Sequence, residues 1–282
     1  MSELRKLDYW NRHALHADNA SDYTLCAVIG PESVLMWACD AQRNVSAAYA
    51  EDFETHDDRL RQSLGSCPLL SLPFGERKLA FAHTALTLVP KRLYRPEAHA
   101  QYFRLLISEG DYTYDARLLP EQDAYLIWAG EPQLERIARL YFEDTPATHV
   151  AVPALRAIPS TMGGRSHTVA AHFRSRQVSV AVFERKNLLY YNSFIFGDPA
   201  DALYFVLLAY DQFKLDTGAQ PLSLSGGVTA DSAIWRLLAR YIRQIRFVSL
   251  PEGYNLPDAL RSWPPHLFYE LACLNDYADL KT

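Results

Sequence analysis

The stretch PLSLSGGVTADSAIWRLLARYIRQIRFVSL, Pro221 to Leu250, constrains the fold more than any other part of the chain. A short apolar run (Leu222 to Ser225) enters the pair Gly226-Gly227, then a segment with helical spacing, then a second run (Arg246 to Leu250). Glycine lets backbone turn and approach a neighbour closely, and a helix start presents N–H groups without internal partners. The unit therefore reads as strand, tight turn, helix, strand. The rest of the chain can be ordered around it.

Upstream, His167 to Phe173 and Val178 to Phe183 pair as a hairpin about Arg174-Ser175-Arg176, and Leu188 to Ile195 supplies a third strand. Asp198-Pro199 opens a helix, with Asp as N-cap, Pro at its first position and Asp201 in the first turn. Its apolar face carries Leu203, Val206, Leu207, Tyr210 and Phe213. Pro264-Pro265 precedes a last helix, His266 to about Leu274.

The first half repeats this order. Strands are expected at Tyr23 to Ile29, Ser33 to Cys39 and Asn44 to Ala50, with Gly30-Pro31-Glu32 as the first turn. A helix capped by Thr55 follows to Leu64, then a strand from Leu79 to Val89 and a helix from Pro96 to about Ile107. Residues 108–121 read as a surface loop and Ala124 to Ala129 as a buried strand. A helix over Pro132 to Phe142 turns Leu134, Ile137, Ala138 and Tyr141 to one side, and His149 to Leu155 closes the half as a strand. Residues 1–20 form a poorly specified lead-in, and Ile158 to Arg165, with Pro159 and Gly163-Gly164, marks the boundary.

This order predicts an α/β protein of two lobes, 1–158 with an insertion around 65–121, and 159–282 with the Gly-Gly unit and the last helix. Each lobe is expected to hold a mixed five-stranded sheet, three antiparallel strands and then βα units, with a cleft between the lobes. The 282 residues suffice for two modest domains. Apolar residues at 49% and charged ones at 22% exclude a disordered chain. A net charge of -5 argues against a general nucleic-acid surface. No apolar run approaches the roughly 18–20 residues that span a bilayer, and the polar N-terminus shows no secretory core. A cytoplasmic protein without direct membrane insertion is expected. Cys26, Cys39, Cys67 and Cys273 are too scattered for a disulfide framework or a zinc pair.

The architecture resembles that of the actin-like ATPase superfamily, a duplication of ribonuclease H-like lobes, and LSLSGG (222–227) is similar to its adenosine-side Gly-Gly motif. YNSFIFGDPADALYFVLLAYDQFKLD (191–216), PLSLSGG, YIRQIRFV (241–248) and HLFYELACL (266–274) resemble the bacterial family known as domain of unknown function 3822. They are also similar to the actin-like proteins of pilus and type II secretion platforms. The resemblance implies nucleotide contacts at Ser225, Gly226, Gly227 and Gly30, and an Asp with glycines in the first hairpin of each lobe to hold metal and phosphate.

The chain departs from that pattern twice. Val28 stands where the first acid is expected, and Ala171-His172-Phe173-Arg174-Ser175-Arg176 has neither acid nor glycine. Magnesium takes hard oxygen ligands and phosphate wrapping takes closely approaching backbone, so hydrolysis lacks its groups. Arg174 and Arg176 offer an anion site; the plainer account is two solvated turn charges. The Gly pair admits a nucleotide or simply a tight turn. His167 and His172, five apart on a strand, face opposite ways and make no metal pair. Cys67 and Cys273 are candidate nucleophiles, with buried structural thiols the commoner case. Arg236, Arg240 and Arg243 share a helix face, solvated or docked to an acidic partner, and Tyr190 and Tyr191 are candidate interface anchors. The expectation is a catalytically silent actin-like protein that binds a protein partner, with no cofactor or metal. A nucleotide binder or kinase-like phosphotransferase using ATP and Mg²⁺ in the cleft is the alternative, and a homodimer a third.

Overall fold

The computed structural model describes residues 6–54, 57–108, 110–161 and 167–278. In the first half the elements are β1 (Leu7–Trp10), β2 (Tyr23–Gly30), β3 (Ser33–Asp40), β4 (Val45–Asp52), α1 (Asp57–Ser66), β5 (Glu76–Phe81), β6 (Leu86–Pro90), α2 (His99–Phe103), β7 (Thr113–Leu119), β8 (Ala124–Gly130), α3 (Pro132–Arg139) and β9 (Ala147–His149). There follow α4 (Ala151–Thr161), β10 (His167–Arg174), β11 (Gln177–Glu184), β12 (Asn187–Ile195), α5 (Pro199–Gln212), β13 (Leu222–Gly226), α6 (Ala233–Leu238), β14 (Ile245–Phe247) and α7 (Tyr269–Asp276). Packing sorts them into two units. One gathers Glu3–Ala82, Gln133–Ala154 and Leu250–Thr282; the other gathers His83–Pro132 and Leu155–Ser249.

The repeated order of elements is present in both units. The sheet of the first runs β1-β4-β3-β2-β5-β9 and that of the second β12-β11-β10-β13-β14. In each, three antiparallel strands are extended by two parallel ones, β5 and β9 beyond β2 in the first, β13 and β14 beyond β10 in the second. The first sheet gains a sixth strand, because part of the expected lead-in pairs with β4, Leu7 opposite Ala50.

In the first unit β2 is apolar on both sides. Leu25, Ala27 and Ile29 join Leu60 and Leu64 of α1 and Leu134, Ile137 and Ala138 of α3 in one core. Cys26 and Val28 point the other way, into a core closed by Leu260, Leu267, Phe268 and Leu271. Such two-sided burial explains why the strand reads as a continuous apolar run. The last helix, expected with the second half, thus covers the first sheet. It is held there by Tyr254 stacked on Trp37 (5.0 Å between centroids), by Lys78 Nζ donating to the carbonyls of Asn275 (2.6 Å) and Tyr277 (3.1 Å), and by the Arg43–Asp276 pair at 3.0 Å.

In the second unit α5 begins as its sequence dictates. The Asp198 carboxylate accepts from the N–H groups of Ala200 (2.7 Å) and Asp201 (3.1 Å), and Asp201 answers by accepting from Asp198 N–H at 3.3 Å. Ala202, Val206, Ala209 and Tyr210 then pack on Val169, Ala171 and Phe173 of β10 and on Val178, Val180 and Val182 of β11.

Several expectations are corrected. Leu79 to Val89 is two strands in two sheets, β5 and β6, since a continuous apolar pattern carries no mark of where the chain changes sheet. The expected loop 108–121 contains β7, an edge strand whose half-exposed side chains give little hydrophobic signal. Strands β6, β8 and β7 form a small sheet of their own, so the Ala124 to Ala129 strand lies outside the main sheet. Instead of a strand over His149 to Leu155 there is β9 followed by α4; Pro153 sits in the first turn of α4, where its missing N–H costs nothing, and His149 Nδ1 accepts from Ala151 N–H at 3.1 Å. The helix from Pro96 shortens to a 3-10 turn and α2. The expected cap Thr55 and the pair Gly163-Gly164 lie outside the described residues.

Candidate functional site

The two hairpins can be superposed by register. In the first unit Gly30 pairs with Ser33, leaving Pro31 and Glu32 as the turn. In the second Arg174 pairs with Gln177, leaving Ser175, with φ 43°, and Arg176. Both are two-residue turns. Counting back from each pair, Val28 of β2 corresponds to His172 of β10. Val28 is 0% exposed within an apolar core. His172 Nδ1 lies 3.0 Å from Ser225 Oγ. Desolvation, and then the nearby Arg174 guanidinium, hold this imidazole well below the usual histidine range, so it is neutral at pH 7.

Around His172 the hairpin end of one face of the second sheet is polar, while Ala170, Ala181 and Phe183 continue that face as buried apolar residues. Arg174 follows on the same face of β10 and is buried. Gln177 Nε2 donates to Ser193 Oγ at 2.6 Å, and Ser179 Oγ and Ser193 Oγ are 3.0 Å apart. Burial raises the Tyr191 phenol to about 12, against a hydrogen bond with Ser179 and the charge of Arg174. Arg246 Nε donates to Ser223 Oγ at 3.0 Å. Alternation at the hairpin end carries this signal: Ala171, Phe173, Val178 and Val180 pack under α5, and His172, Arg174, Gln177 and Ser179 between them face the other way.

The Gly-Gly unit closes this face. Gly226 takes φ +81°, and a Cβ there would meet the Phe173 carbonyl oxygen at 2.0 Å, so only glycine fits. Gly227 N–H donates to the same oxygen at 2.8 Å. The helix beyond is shorter than expected, six residues, and Ser232 caps it by accepting from Trp235 N–H at 3.1 Å. The N–H groups that the unit was expected to offer are thus engaged within the protein at Gly227 and Trp235. Because α6 ends at Leu238, Arg240 and Arg243 lie beyond the helix and share no helical face with Arg236.

The remaining candidates separate. Gly30 ends β2 in the other unit from Ser225, Gly226 and Gly227. All four cysteines are buried; burial pushes the Cys67 thiol up to about 11 and Cys273 to about 12, which keeps both protonated. Tyr190 is half-buried against Phe213 (5.9 Å between rings) and Tyr191 belongs to the polar face, so neither stands out as an anchor. Among the described residues no three His, Cys, Asp or Glu side chains gather as a metal-binding group. A pocket of about 220 Å³, which no sequence feature indicated, is lined by Leu119, Glu121, Gln122, Leu155, Arg156, Pro159 and Lys186. No helix among the described residues is long and apolar enough to cross a membrane.

A family model described as protein of unknown function (DUF3822) matches residues 12–245. The chain belongs to that family. A protein of Bacteroides thetaiotaomicron with an actin-like ATPase fold and unknown function superposes with a TM-score of 0.75 at 16% identity, over 93% of this chain and 99% of its own. The PilM–PilN type IV pilus biogenesis complex gives 0.60 at 12% identity, over 89% and 97%. The cytoplasmic domain of EpsL from the Vibrio cholerae type II secretion system gives 0.46 at 12%, over 92% and 98%. No curated protein matches the chain. The DUF3822 chain therefore has the duplicated actin-like fold.

Proposed function

We propose that this DUF3822 protein is a non-hydrolysing actin-like module that works by holding a protein partner. The observation that carries the proposal is the pair of residues at the register-equivalent hairpin positions, a buried valine and a neutral histidine, Val28 and His172. Neither supplies an anionic oxygen, and magnesium is held by such oxygens. Two-residue turns also leave little backbone to wrap a phosphate. The occurrence of the same fold in a PilM–PilN complex supports a partner-binding role. Isothermal titration with ATP and Mg²⁺, read beside phosphate release, is the test. The expected result is no turnover; steady turnover overturns the proposal.

A second reading, nucleotide binding or kinase-like phosphotransfer, draws on Ser225, Gly226 and Gly227 together with the cationic turn at Arg174 and Arg176. It predicts that ATP raises the melting temperature, because a ligand that binds only the folded state stabilises it. Arg176→Glu is the informative variant, since it would abolish the shift and leave the close contact at Gly226 intact.

A further inference from the structure

We propose that the surface formed by Lys91 to Leu106, in the second unit, docks on an anionic lipid bilayer. Single exposed apolar side chains are ordinary; grouped ones mark an interaction surface. Here Leu105 is 90% exposed, Leu106 56% and Leu93 55%. Tyr102 ties the Leu93 segment to α2, its hydroxyl donating to the Leu93 carbonyl and accepting from Arg95 N–H, both at 3.0 Å. Backbone bonding stays helical just past α2, with Ile107 N–H on the Phe103 carbonyl at 3.1 Å. Leu106, four residues after Tyr102, therefore lies on the helical face that meets Leu93, and Leu105 adjoins it. Buried Phe103 and the stacked rings of Tyr94 and Tyr125, 3.7 Å apart, make a firm base.

Charge decides the occupant. Lys91, Arg92, Arg95 and Arg104 are all exposed; the carboxylates beside them are Glu97 in the same stretch and exposed Asp115 and Asp123 on the neighbouring strand and turn, so the cations are in local excess on a chain of net charge -5. Leucines that protrude amid cations match a layer of anionic headgroups over acyl chains, where the cations meet phosphate and the apolar tips sink to the boundary. A protein partner would have to present a pocket for a side chain that stands clear of its own surface; a bilayer needs no matching shape. The contact is peripheral and is independent of any nucleotide.

The test is co-sedimentation of the full chain with phosphatidylcholine vesicles, with and without phosphatidylglycerol. Binding is expected only to the phosphatidylglycerol vesicles and is expected to weaken as salt rises. Leu105→Ser/Leu106→Ser and Arg92→Glu/Arg95→Glu should each weaken it by at least about tenfold while leaving the melting temperature unchanged, because these side chains are exposed. No binding to the anionic vesicles overturns the proposal, and so does binding that both variants leave intact.

Discussion

The two main sheets share one topology and differ in one face. In the first unit both sides of β2 and β3 are apolar, one under α1 and α3, the other under the returning C-terminal segment. In the second unit the side under α5 and α6 is apolar, and the opposite side presents His172, Arg174, Gln177, Ser179, Ser193, Ser223, Ser225 and Arg246 toward the hairpin and helix-unit end, with Ala170, Ala181 and Phe183 buried beyond them. Strand order thus leaves the chemistry of each face open. A strand buried on both sides reads as an unbroken apolar run, as in Leu25-Cys26-Ala27-Val28-Ile29, whereas β10 breaks its apolar run at His172 and Arg174. What a carboxylate would meet at the equivalent hairpin position differs accordingly: hydrocarbon in one unit, hydrogen-bonding groups and a guanidinium in the other.

That contrast can be broken by experiment. Val28→Asp places a charge in an apolar core and should cost several kcal/mol, on the order of 4 or more, or prevent folding outright. His172→Asp can pair with Arg174 and accept from Ser225, so its desolvation is partly offset and it should cost clearly less than Val28→Asp. Urea unfolding of the two variants reads the difference, and equal losses would erase the distinction between the faces. Next in size, Phe268→Ala removes a fully buried ring that stacks over Trp37, 6.2 Å between centroids, and should cost about 3–5 kcal/mol in the same assay. A loss below about 1 kcal/mol would mean that the C-terminal segment does not close the first sheet.

Gly226→Ala adds a Cβ against the Phe173 carbonyl at a positive φ, so at least about 2 kcal/mol of destabilisation is expected. A further effect is a pH dependence. His172 has a folded pKa below its unfolded value of about 6.5, so the unfolded chain binds the extra proton. Stability on this account is complete above pH 6.5 and falls as pH drops below it, by at most about 1.4 kcal/mol per pH unit. His172→Gln should flatten that part of a stability profile measured between pH 7.5 and 5; an unchanged slope would show that His172 is not the group responsible.

Local signals in the chain carried much of this. The hairpin strands, the Asp198-Pro199 helix start, the apolar face of α3 and the need for glycine at 226 were legible because each depends on residues close in sequence. The place of Val28, two residues before the closing pair of the first hairpin, was legible too, since it needed only the register of that hairpin. The polar face of the second sheet was less so. Its members come from five strands, and only pairing brings Gln177 to Ser193 and Ser225 to His172.

By itself, the sequence determined the repeated order of strands and helices and the residue types at both hairpins, because turn chemistry and side-chain period act over a few residues. Tertiary structure alone decided that β5 and β6 part into different sheets, that Leu7–Trp10 adds an edge strand, and that the last helix covers the first sheet. Those outcomes turn on which apolar surfaces meet across long separations. An apolar run states that it must be buried; it does not state against what.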